Sequence, residues 1–193
     1  MGRPRSEEAR HAALVATVDL VLESGVEGVT FEDVAHRSGV AKSTLYRHFG
    51  TKQAMVVAAA TSCLVELATP DTGDLAADLS AIFEKARGAD DAHRLPDLMP
   101  ALLAASDRDE DLRRLVLAVL EERRRPIRTV LQLAQLRGEI GRDLDLDLAL
   151  TLLLGPFTQR RMVDRLEVTS EWADQVLVHV VTALRATGDR VPA

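Results

Sequence analysis

Apolar residues recur at helical spacing almost from the start of the chain. Ala9, Ala13, Ala16 and Leu20 form one row and Leu14, Val18 and Val21 a second, the three-and-four repeat of an amphipathic helix. Ser6 followed by Glu7 and Glu8 suits a helix start, and Gly25 suits a stop, so a first helix is predicted over 6–24. Thr30-Phe31-Glu32-Asp33 has the hydroxyl-then-acid spacing of a capping box and predicts a short helix over 31–37, ended by Gly39. Val40-Ala41 leads into a third helix over 42–49, ended by Gly50. Thr51 then caps a longer helix that carries Met55, Val56, Ala59, Cys63 and Leu67 as far as the Thr69-Pro70-Asp71 break.

Beyond Pro70 the pattern stays helical, with no alternating run of the kind a half-buried strand requires. Helices are predicted over 74–87, 96–106, 109–136, 145–163 and 170–186, the third of them kinked or split at Pro126 and the fourth bent at Pro156. Gly88-Ala89-Asp90-Asp91, Ser106-Asp107, Arg137 to Gly141 and Val168-Thr169 supply the turns. The fold class is all-α, and the chain contains no internal repeat.

Composition narrows the setting. With 193 residues, 47% of them hydrophobic, the chain can bury a real core. No apolar run approaches the roughly 20 residues of a membrane span, and the N-terminus has no apolar secretion segment, so a cytoplasmic protein without a membrane partner is expected. Cys63, the one cysteine, has no partner within the chain for a disulfide, which agrees with a reducing compartment. Arginine outnumbers lysine 21 to 3, a usage typical of a GC-rich bacterial genome. The net charge of −6 is unevenly spread: residues 1–52 hold seven basic and seven acidic side chains, so the whole excess of acid lies beyond them. A polyanion would bind at the N-terminal end only, on the nucleoid if that polyanion is the chromosome.

Two short helices joined at Ser38-Gly39-Val40-Ala41 make a helix-turn-helix in outline. Phe31, Val34, Ala35, Val40, Leu45 and Phe49 can face inward, which leaves Lys42, Ser43, Thr44, Tyr46 and Arg47 outward and His48 near the edge. Such a helix fits the DNA major groove, where hydroxyls, Lys and Arg read base edges and neighbouring donors fix phosphates. A short helix bearing Lys and Arg is equally what plain solvated surface looks like. The Arg3-Pro4-Arg5 arm, read as preceding the first helix, can reach a flanking phosphate or simply be a solvated tail.

The assembly is more specific than its parts. Thr-Phe-x-x-Val-Ala, then Ser-Gly-Val, then Leu-Tyr-x-His-Phe-x-x-Lys resembles the DNA-binding domain of the TetR/AcrR family of bacterial regulators, over about residues 10–60. The resemblance implies a helix-turn-helix domain over 1–52, linked through helix 51–68 to a ligand-binding and dimerisation domain over 70–193. It implies further that Thr30 touches a phosphate, that Ser43 and Thr44 read bases, and that Tyr46, His48 and Lys52 grip the backbone of double-stranded DNA. Arg47 falls at a variable position, where its planar fork suits either guanine or a phosphate. Ala41 departs from the family's usual Ser or Thr and removes a capping hydroxyl worth about 1 kcal/mol.

The acidic half resembles the family more loosely, in "RGEIGRDLDLDLALTLLLGPFTQRRMV". In relatives the last two helices pair with those of a second copy, and Leu148, Leu152 and Leu153 with Trp172, Val176 and Val180 have the spacing for that homodimer seam or for the monomer core. A small-molecule effector pocket is expected between residues 74 and 163, with Phe83, Leu98, Met99, Leu102, Leu120 and Phe157 as apolar wall and His93 or Gln159 as polar contact; the same residues also suit ordinary core. Asp143, Asp145 and Asp147 alternate, but the glycine and distal glutamate of a calcium loop are missing, so they are read as caps and surface. The histidines are scattered, no His-Glu-x-x-His occurs, and Cys63 has no neighbouring base, so neither an enzyme nor a cofactor or metal is expected. A homodimeric repressor released from an inverted-repeat operator by a small molecule is the leading reading; an activator, or a regulator without a ligand, is the alternative.

Overall fold

The computed structural model describes residues 3–64 and 66–186, without the side chains of 3–5 and 89–93. Among these residues every regular element is helical: α1 (Arg3–Gly28), α2 (Phe31–Ser38), α3 (Lys42–Phe49), α4 (Lys52–Ser62), α5 (Leu75–His93), α6 (Leu95–Ser106), α7 (Glu110–Arg137), α8 (Leu146–Thr158), a π-helical turn (Gln159–Val163) and α9 (Ser170–Arg185). None of these helices is long and apolar enough to cross a membrane. The chain divides into two compact units, Met1–Leu64 with His93–Glu121 and Val65–Ala92 with Glu122–Ala193.

In the first unit α1 is the hub, touching α2, α3, α4 and α6. Its inner row, Ala13, Leu14, Ala16, Val18 and Val21, is buried together with Phe31 and Val34 of α2, Leu45 of α3 and Met55, Val56 and Ala59 of α4. Leu45 is wholly buried, so Leu45→Ala would cost about 2–5 kcal/mol and loosen α3 from its support. Leu95, Leu98, Met99 and Leu102 of α6 belong to the same unit's core, and Arg94 Nη1 reaches Asp19 Oδ1 of α1 at 2.6 Å.

The second unit packs Leu75, Leu79 and Ile82 of α5, Ile127, Val130 and Leu131 of α7, Leu150 and Leu153 of α8, and Leu177, Val181 and Leu184 of α9 into one cluster. Arg137, Gly138 and Glu139 close it. Glu139 Oε2 accepts from the Leu75 backbone N–H at 2.9 Å and from Arg185 Nη2 at 2.9 Å, so one carboxylate joins the start of α5 to the end of α9. Arg137 meanwhile donates to Asp71 at 2.8 Å and reaches the fully buried Asp78, whose Oδ1 also accepts from the Thr72 hydroxyl at 2.7 Å.

Several boundaries differ from expectation. α1 begins at Arg3 rather than Ser6, because Pro4, lacking an N–H, suits a first helical turn, so its backbone is no arm ahead of the helix. Gly25 interrupts it as expected, at φ 71°. α4 ends at Ser62, short of Leu67, where the Thr61 and Ser62 hydroxyls bond back to the Val57 and Ala59 carbonyls at 2.8 and 2.7 Å and compete with the helical ladder. α5 runs through Gly88 to His93, since an interior glycine costs a helix only about 1 kcal/mol. Pro126 does not split α7, because the buried Ile127, Val130 and Leu131 hold the turns after it. α8 likewise passes through Pro156, and the irregularity comes three residues later as the π turn, in which Asp164 N–H bonds the Gln159 carbonyl at 3.0 Å.

Candidate nucleic-acid interface

α2 and α3 are built by local chemistry. Thr30, in extended conformation, accepts the Asp33 N–H at 3.1 Å to cap α2, and its hydroxyl donates to Asp33 Oδ2 at 2.6 Å. This differs from a reciprocal capping box, since the acid accepts from the Thr30 hydroxyl rather than from the Thr30 backbone N–H. Gly39 at φ 70° sends its N–H to the Ala35 carbonyl at 3.0 Å and turns the chain, a conformation that a Cβ would strain. Ser38 Oγ then accepts the Val40 N–H at 3.2 Å, and α3 starts at Lys42 with no side-chain cap from Ala41. At the far end Gly50 stops α3, and Thr51 caps α4 by accepting the Ala54 N–H at 3.1 Å.

These turns leave the expected residues at the surface of α3. Leu45 points into the core and Phe49 is half-buried, while Lys42, Ser43, Tyr46, Arg47 and His48 are exposed and Thr44 is half-buried at the edge. Tyr46 is less free than the spacing implied. Its ring stacks on Phe31 with centroids 4.0 Å apart, which holds the side chain in place and still leaves 49% of the residue exposed. Lys52 sits in the first turn of α4 with its ammonium 3.1 Å from the Glu27 carbonyl. Arg47 makes no hydrogen bond or ion pair among the described residues, so its guanidinium is available to an incoming anion.

The sequence alone did not reveal the acids that meet these cations. Lys42 Nζ lies 2.9 Å from Glu32 Oε2, and this bond holds the ammonium pKa above its ordinary value. Arg37 grips Glu23 of α1 with both nitrogens at 2.7 Å, which lowers the glutamate pKa and withdraws Arg37 from the reading face. Both pairs join different helices, ten and fourteen residues apart, beyond the reach of local pattern.

The other predicted sites lie elsewhere. Phe83 and Phe157 come together in the second unit, ring centroids 4.6 Å apart, and Trp172 meets Phe157 edge-on at 5.4 Å. The Arg160 guanidinium lies 4.7 Å above the Trp172 ring. Met99 and Leu102 are in the first unit, 5% and 2% exposed, as is half-buried Leu120. The His93 side chain falls outside the described residues, and Gln159 donates to Asp164 at 3.1 Å. On α8, Leu148 and Leu152 are exposed while Leu153 is core; on α9, Trp172, Val176 and Val180 are half-buried. Asp145 caps α8 by accepting the Asp147 N–H at 2.8 Å. Among the described residues no group of His, Cys, Asp and Glu has the arrangement of a metal site. Burial pushes the Cys63 thiol pKa up, the opposite of what a thiolate nucleophile needs.

Comparison with known proteins decides what this arrangement is. Residues 13–59, spanning the helix-turn-helix, match the family described as bacterial regulatory proteins, tetR family. Residues 69–180, more than half of the chain, match the tetracyclin repressor-like, C-terminal domain. The chain belongs to the TetR family of transcriptional regulators. TetR-family proteins are DNA-binding regulators rather than enzymes, and the fold and helix-turn-helix expected from the motif are those of the family. This TetR-family chain is similar to YdeS, an uncharacterised HTH-type transcriptional regulator of Bacillus subtilis, with 28% identity covering 96% of this chain and 94% of that one. Among solved structures it resembles the TetR family regulator SCO0332, with 28% identity, TM-score 0.66 and coverage of 91% and 97%. The flavonoid-responsive regulator FrrA shares the fold at TM-score 0.72 and 21% identity, covering 96% of this chain and all of that one.

Proposed function

We propose that this TetR-family regulator is a homodimeric repressor that binds an inverted-repeat operator through α3 and is released from it by a small, largely apolar effector. The observation that carries the reading is the exposed donor face of α3, with Tyr46 pinned by Phe31 and Lys52 beside it at the head of α4. Lys42, Ser43, Thr44 and Arg47 are the base-reading set; Thr30, Tyr46, His48 and Lys52 are the phosphate set. One eight-residue helix reaches too few base pairs for a unique site, and two related by a twofold axis read an inverted repeat. The exposed Leu148 and Leu152, with Val178 at 64% exposure on α9, support a dimer seam on those two helices.

For the effector, support comes from the half-buried Phe83, Phe157 and Trp172 and the cation of Arg160 beside them, a wall of aromatic rings with one polar handle. FrrA, a protein of the same fold, is a flavonoid-responsive regulator, so the architecture accommodates such a response. An effector acts only as far as it prefers the conformation that fits DNA poorly.

Selection from a random duplex pool tests the reading. The unsubstituted protein should recover inverted repeats with half-sites about one helical turn (~10 base pairs) apart. Thr44→Ala should recover a different base preference, whereas Lys52→Ala should weaken binding to every duplex alike. Recovered sequences without twofold symmetry would refute the dimeric reading, and an unchanged preference in Thr44→Ala would remove Thr44 from the reading set.

A further inference from the structure

We propose that Glu32 competes with DNA for Lys42 and thereby holds down binding to duplexes of any sequence. The inference rests on the DNA-binding role of α3 set out above. The Lys42 ammonium, first residue of α3, lies 2.9 Å from Glu32 Oε2 in the first turn of α2, with the two side chains 48% and 79% exposed. The pair is therefore on the surface that a duplex would approach.

Three observations separate Glu32 from its neighbours. The carboxylate has no other partner among the described residues, whereas the adjacent Asp33 is tied into the α2 cap through Thr30. Removing the Glu32 charge thus leaves the cap intact. Of the cations assigned to the face, Lys52 rests on a neutral backbone carbonyl and Arg47 has no partner among the described residues, so Lys42 is the one held by an acid there. Finally, on a duplex without the operator sequence Lys42 has no base to read and meets a phosphate instead, whose oxygen and the Glu32 carboxylate repel each other. A phosphate arriving at Lys42 must therefore displace the carboxylate or sit beside an uncompensated like charge.

The exchange has a signature in salt. A lysine that is free beforehand releases about 0.9 of a counterion from duplex DNA when it contacts a phosphate. When Lys42 leaves Glu32 for a phosphate, the freed carboxylate recruits a cation from solution and offsets that release. Lys42 accordingly adds little to the salt dependence of the unsubstituted protein, and adds a full share once Glu32 is neutral.

The experiment measures fluorescence anisotropy of a labelled mixed-sequence duplex against protein over a series of salt concentrations, for the unsubstituted chain, Glu32→Gln, Lys42→Ala and the double variant. Glu32→Gln should bind about 1.5- to 5-fold tighter per bound subunit, the range of an exposed ion pair. The slope of log K against log salt should steepen by about 0.9 per subunit. Lys42→Ala should cancel the steepening, so that the double variant has the slope of Lys42→Ala alone. Weaker binding by Glu32→Gln would mean that the carboxylate positions Lys42, and an unchanged slope would mean that no exchange occurs; either overturns the proposal alone. Absence of salt-dependent binding by the unsubstituted protein would overturn the DNA reading and this proposal with it. Glu32→Ala, measured alongside, repeats the charge removal should the glutamine variant melt early.

Discussion

Removing the Glu139 carboxylate should loosen the second unit by a calculable amount. Glu139 is 17% exposed, accepts the N–H of the wholly buried Leu75, and holds Arg137 at 2.7 Å and Arg185 at 2.9 Å. In Glu139→Ala the Leu75 N–H loses its acceptor, and a buried donor left unpaired costs about 1–3 kcal/mol. Arg185 is 42% exposed and also bonded to Asp74, so solvent screens its loss and the orphaned N–H dominates. For a chain of this size that corresponds to a fall in Tm of about 2–12 °C. Glu139→Gln keeps a carbonyl oxygen for Leu75 and should lose less than half as much. Thermal and urea unfolding, followed by circular dichroism, would measure both. Burial pushes the Glu139 pKa up, but the bonds from Leu75, Arg137 and Arg185 outweigh it and hold the group below its ordinary value. A depressed carboxyl stabilises the fold above the unfolded pKa of about 4.3 and loses that contribution as pH falls through the folded value. The gap between the unsubstituted protein and Glu139→Ala should therefore close on acidification below that range. Equal damage by the alanine and glutamine variants, or a gap that widens in acid, would refute the reasoning.

Two further outcomes are expected. Leu148→Glu with Leu152→Glu, both at exposed positions, should yield a folded monomer whose melting temperature is lower and no longer depends on protein concentration, and which has lost tight operator binding; sedimentation and anisotropy check this, and a dimer that persists places the seam elsewhere. Phe157→Ala should blunt operator release by a library of apolar metabolites while leaving operator affinity within about twofold. A melting loss of about 3–5 kcal/mol with release unchanged would instead mark Phe157 as core packing.

The helix-turn-helix was legible because its signals are local. Thr30, Gly39, Gly50 and Thr51 each act within four residues, and the structure places each at the expected helix end. What escaped depends on partners distant in sequence or on balances between small terms. The Lys42–Glu32 and Arg37–Glu23 pairs cross between helices, and the Phe31–Tyr46 stack links α2 to α3. Gly88 and Pro126 read as breaks, although each costs only what its surroundings can offset. On α8 the spacing offered Leu148, Leu152 and Leu153 alike, and only packing separates the buried Leu153 from the two exposed leucines.

The missing cap at Ala41 also bears on how tightly α3, as the proposed reading helix, would hold DNA. A cap is worth about 1 kcal/mol, roughly a fivefold change in the equilibrium for opening the first turn of α3. Backbone amides there should exchange with solvent faster than those of α2, whose first turn Thr30 secures. Docking must re-form that turn whatever the bases beneath it, so the loss is subtracted equally from every sequence. Base preference is untouched, and on the proposed reading the cost falls on the docking step, where the open turn must close. With α3 as the proposed reading helix, the missing cap would lower affinity for operator and for bulk DNA by the same factor and keep their ratio, which sets where such a regulator sits.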